Sequence, residues 1–81
     1  MTNLLATNKA AKIAEIQAQV EALRTMPEGA PLSRTDDRTM TERRRARYVA
    51  EGEKALATVS ALHEGHFSEE FMKRDVLFEY A

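Results

Sequence analysis

His63 and His66, with Glu64 between them and Glu69 and Glu70 close behind, are the residues whose types come nearest to a chemical site. Imidazole nitrogens and carboxylate oxygens are the ligand types of zinc centres. The spacing argues against that use. A zinc protease motif needs histidines four apart on one continuous helix, with glutamate directly after the first, and Gly65 is placed to end a helix here in a left-handed conformation. His63 is expected to pack at the end of an apolar stripe and His66 to cap or link, so no metal site is assigned. Nucleophilic chemistry has less support. Ser33, Ser60 and Ser68 lack the glycine-flanked turn that exposes a nucleophile. The three glycines stand singly, so no phosphate-cradling loop is available. With no cysteine, disulfides and thiolate metal sites are also removed. The expectation is a non-catalytic chain without a cofactor.

Arginine offers a second kind of chemistry. Arg34, Arg38, Arg43, Arg44, Arg45 and Arg47 fall within residues 27–47, which carry six bases and four acids. Residues 48–81 carry three bases and seven acids, so the charge is lopsided although the whole chain sums to −1. The planar guanidinium fork suits phosphate and carboxylate alike. Arg38, Arg43, Arg44 and Arg47 are the candidates for holding phosphate or an acidic protein surface. Helical geometry sets neighbouring positions about 100° apart, so Arg43, Arg44 and Arg45 do not form one stripe. Arg43 and Arg47 do share a face, and Arg47 precedes Glu51 by one turn, the spacing of an intrahelical ion pair.

The elements that must position these residues are helical. Leu5, Ala6, Ile13, Ile16, Val20 and Leu23 share one face of a helix expected over residues 3–26, with Lys9 intruding. Thr2 or Asn3 can cap it, and Pro27 stops it. Residues 27–38 hold both prolines and read as a loop, most simply a connector. Thr39 and Glu42 have the spacing of a capping box opening a second helix, expected over 39–64. Its inward stripe is Tyr48, Gly52, Ala55, Leu56, Val59, Leu62 and His63, and the small residues at 52 and 55 invite close approach by a neighbour. Ser68 restarts a third helix, expected over 68–80, with apolar residues on more than one side.

Thirteen alanines beside three glycines and two prolines favour helix over sheet. With 81 residues the chain forms one small domain at most, with a thin core. The expected class is all-α: an antiparallel, coiled-coil-like hairpin of two long helices plus a short C-terminal third helix, self-associating into a bundle. No apolar run approaches membrane-spanning length and no signal peptide is visible, so a cytoplasmic location without membrane contact is expected. An acidic pair, Asp36-Asp37, at the tip of such a hairpin resembles in outline the transcription factors that insert a coiled coil into the RNA polymerase secondary channel. The zinc-finger cysteines of most of those proteins are missing, and the outline assigns no family.

Two functions follow as expectations. The first is a protein-binding module, a small inhibitor or adaptor of the phage or mobile-element type acting on a larger host complex. Phe71, Met72, Val76, Leu77, Phe78 and Tyr80 would contact that partner or a second copy, because exposed aromatic and methionine side chains commonly anchor interfaces. The second is a nucleic-acid-associated regulator using Arg34–Arg47. Near-neutral charge and acids interspersed with the arginines make it the lesser expectation.

Overall fold

A computed structural model describes residues 3–81. Thr2, one of the two candidate caps, lies outside the described residues. The other, Asn3, caps α1 (Leu4–Thr25): its side chain accepts a hydrogen bond from the Ala6 amide at 3.1 Å. The helix ends before Pro27, with Met26 extended at ψ 128°, as the steric restriction on a residue before proline requires.

α2 runs over Glu42–Ser60 and packs along α1 to form the hairpin. Its cap is Thr41, whose hydroxyl accepts from the Arg44 amide at 3.1 Å. The start lies three residues later than the expected position 39, because residues 39–41 belong to the loop. Met40 is fully buried beneath that loop, and Pro31 and Thr39 form an isolated antiparallel bridge. Gly29 donates to the Met40 carbonyl and Met40 donates to that of Ala30, both at 2.8 Å. Gly29 takes φ +86° at the turn that makes this possible, a value glycine reaches without steric cost.

The end of α2 corrects a second expectation. The helix stops at Ser60 rather than residue 64, and no left-handed residue ends it: Ala61 stays right-handed and donates to the Thr58 carbonyl, while Leu62 donates to that of Val59. His63 is extended at ψ 147° and caps a short 3-10 turn, Glu64–His66, through Nδ1, which accepts from the Gly65 amide at 3.0 Å. Gly65 lies inside that turn. The Leu62 carbonyl, freed from the helix, accepts from Lys9 Nζ at 2.8 Å.

The largest correction concerns the third helix. α3 covers only Glu69–Met72, capped by Ser68, and the remainder of the expected 68–80 segment follows turns. Three features end it. Lys12 Nζ takes the Met72 and Arg74 carbonyls at 3.2 and 2.6 Å. Asp75 Oδ1 accepts from the Leu77 amide, a local turn that competes with helix. Val76 and Leu77 are then both buried, at 0% and 2% exposure. Their burial seats this non-helical stretch on the core. Residues 73–81 form a strap laid over the hairpin.

The core is Ile16 and Val20 from α1, Ala55 and Val59 from α2, Phe67, Phe71, and the strap's Val76 and Leu77. Gly52 faces Val20 so closely that a Cβ on it would lie 2.7 Å from Val20 Cγ2. Close helix approach at Gly52 therefore follows the sequence pattern. The result is an elongated body of 47 × 22 × 18 Å. Among the described residues no helix is long and apolar enough to cross a membrane.

Candidate functional site

Lys12 shows how the site is held. It lies on the inward face of α1, four residues before Ile16, and its side chain is completely buried. An ammonium in that position needs partners for its charge and its three donors. It finds the Glu15 carboxylate at 2.5 Å, the two strap carbonyls, and the Phe71 ring with its centroid 5.9 Å away. Asn8 Nδ2 donates to the Phe67 carbonyl at 3.0 Å and Gln19 Nε2 to the Asp75 carboxylate at 3.2 Å. With Lys9 on Leu62, four polar side chains of α1 thus satisfy the carbonyls and side chains that an irregular C-terminal segment leaves open.

This stitching fixes where the strap ends. It presents Phe78, 55% exposed, against Tyr48 of α2, the rings meeting edge to face with centroids 5.6 Å apart. Beside them opens a groove of about 440 Å³. Leu23 of α1 and Leu32 of the loop supply its apolar walls, and Arg38, Arg47, Ser33 and Asp36 its polar rim. A second groove of about 290 Å³ on the other side shares Leu23, Leu32 and Phe78 and adds Met26. Phe78 is therefore the ridge between two concavities.

The candidate partner-binding residues divide sharply. Phe71, Val76 and Leu77 lie in the core, Met72 and Tyr80 are half-buried against it, and Phe78 stands out. The aromatic cluster explains the first group: Phe71 meets Phe67 at 5.2 Å, His66 at 5.0 Å and Tyr80 at 6.2 Å, each edge to face. The histidines exchange their expected roles. Both are exposed, but His63 caps, while His66 lies edge-on to the Phe71 ring and shares a hydrogen bond with the Tyr80 hydroxyl at 3.2 Å.

The arginines divide as well. Arg44 donates to the Thr39 carbonyl at 2.7 Å, and Arg45 to the Leu23 and Arg24 carbonyls at 3.0 and 2.8 Å, closing the C-terminal end of α1. Both have structural partners. Arg47 is largely exposed and gives only Nε, at 3.1 Å, to Glu51. Arg38 grips Asp36 through Nε and Nη2, at 2.7–3.1 Å. That side-chain bond, with the Arg38 backbone amide behind it, lowers the Asp36 carboxyl to about 2 and raises the Arg38 guanidinium. Arg43, exposed one turn before Arg47, forms no ion pair among the described residues. The structure thus brings Arg38, Arg47 and Phe78 to one surface and leaves Arg44 apart.

Sequence reasoning missed Lys12, Tyr48 as the seat of Phe78, and both groove leucines. Lys12 carried a signal: it shares a face with Ile16 and Val20. Leu32 carried none, because its place depends on how the loop folds back. Set against protein-family models, curated proteins and solved structures, the chain matches none of them.

Proposed function

We propose that this protein is a non-catalytic protein-binding module, an inhibitor or adaptor that docks on a larger macromolecule through the ridge of Phe78 and the grooves beside it. One observation carries the reading. A large aromatic side chain, on a strap anchored by buried Val76 and Leu77 and by the Lys12 hydrogen bonds, is left more than half exposed over an apolar groove. Residues that anchor interfaces are of this kind, rigidly presented aromatics with guanidinium groups at the rim. The same surface would serve a second copy of the chain, which is how self-association enters the proposal.

The nucleic-acid reading draws on the same rim and is weaker. Arg44 and Arg45 are tied to backbone carbonyls, and the centre of the surface is leucine and phenylalanine. Phosphate binding asks instead for a continuous cationic stripe. The test is an affinity capture from host lysate, split into nuclease-treated and untreated halves. The binding-module reading expects a discrete protein retained in both. Proteins that vanish on nuclease treatment, with nucleic acid in the untreated half, would replace it by the second reading.

A further inference from the structure

The chemistry of the partner can be taken one step further, resting on the binding-module reading. We infer that the groove between Phe78 and Leu32 receives an acidic protein segment carrying a large apolar anchor, with carboxylates of that segment on Arg47, Arg43 and Arg38. The inference joins three observations: the size and lining of the groove, the donors its arginines keep free, and the neutralisation of its only acid.

A groove of about 440 Å³ holds one or two large side chains, and its walls, Leu23, Leu32, Tyr48 and Phe78, offer them carbon and little else. Around that centre the polar groups are unbalanced. Asp36 is the only carboxylate in the lining, and Arg38 already grips it with two nitrogens. Arg38 keeps Nη1, and Arg47 keeps both Nη atoms, without protein partners among the described residues. Arg43 lies on the same face of α2 one turn earlier. The Arg47 guanidinium, with both Nη atoms free beside an apolar floor, matches a carboxylate next to a buried side chain, because the fork donates to two oxygens at once, and Arg38 adds a single free nitrogen. A neutral segment would leave those donors to water, and a basic one would be repelled by them.

The probe is a short fluorescein-labelled peptide with a central Leu-Phe pair flanked by aspartates and glutamates, followed by anisotropy against the full chain. Saturable binding is expected with Kd on the order of 10–100 µM, the range of weak but specific contacts. A peptide with lysine flanks should show none. Phe78→Ala should weaken binding about tenfold or more, as loss of an aromatic anchor does. The double variant Arg43→Gln, Arg47→Gln should weaken it by a similar factor and flatten the salt dependence. Both changes are at exposed positions, and an unchanged far-ultraviolet spectrum would show that the fold is kept. Equal binding of the lysine peptide overturns the inference. So does tighter binding of oligothymidylate with the same arginine dependence, or an acidic peptide that fails to displace a dimer formed through Phe78. If the acidic peptide does not bind, yet a nuclease-resistant partner is lost with Phe78→Ala, only the acidic chemistry falls. A partner retained equally by Phe78→Ala would remove the surface itself.

Discussion

At the scale of single residues, Lys12 decides more than its type suggests. Its ammonium is the joint between α1 and the strap, and its methylene stem fills core space beside Phe71. Lys12→Ala should remove both and cost about 2–4 kcal/mol, since it opens a cavity and strands two carbonyls. Lys12→Met keeps the stem and should cost less, about 1–3 kcal/mol, from the unpaired carbonyls alone. Thermal unfolding of the two variants separates the contributions; equal, negligible losses would show that the strap is held by Val76 and Leu77 without Lys12. Asp36 makes a pH prediction. Its carboxyl is lowered in the folded loop to about 2, against an unfolded value near 3.9. A depressed folded value means that the stabilisation is fully present above about pH 4 and fades as pH falls through about 2. Carboxyl chemical shifts followed by NMR should show that midpoint for Asp36, and Arg38→Ala should return it toward the ordinary range.

At the scale of elements, the hairpin was legible and the strap was not. The 3-4-3 spacing of Ile13, Ile16, Val20 and Leu23 and the small residues at 52 and 55 state directly that two helices lie close together. The structure answers with Gly52 against Val20. Gly52→Ala is a sharp check. Alanine would gain about 1 kcal/mol of helix propensity, but its methyl would press on Val20, whose branched side chain has little freedom in a helix. Net destabilisation of about 1–2 kcal/mol is expected, because overpacking a filled contact typically costs about 1–3 kcal/mol. A more stable variant would mean that the helices stand further apart than described. The strap was misread for a physical reason. Apolar residues on every side of Phe71–Tyr80 fit no single helical face, and local pattern cannot say that two of its carbonyls will be satisfied by Lys12 and its Asp75 carboxylate by Gln19, some sixty residues earlier. The same pattern also misled the reading of Val76 and Leu77 as surface anchors, since the irregular strap turns both into the core. The Asp36–Arg38 clamp was equally hidden: two residues apart in a loop, they signal nothing until the Pro31–Thr39 bridge sets the turn.

For the whole molecule, the economy of the core explains why one aromatic remains outside. A chain of 81 residues has too little interior for every large side chain, and the hairpin with its strap fills that interior using Phe67 and Phe71. Phe78 contributes little to this packing. Phe78→Ala should therefore change stability by less than about 1 kcal/mol, the range usual for exposed substitutions plus one lost edge-to-face contact. Binding should respond quite differently. The measurement that separates the two is retention of the nuclease-resistant partner by wild type and by Phe78→Ala, at matched concentration and with both proteins shown to be folded. We expect the wild type to retain a discrete protein and Phe78→Ala to lose it by about tenfold or more in affinity. Equal retention by the folded variant would contradict the proposal that this ridge is where the protein meets its partner.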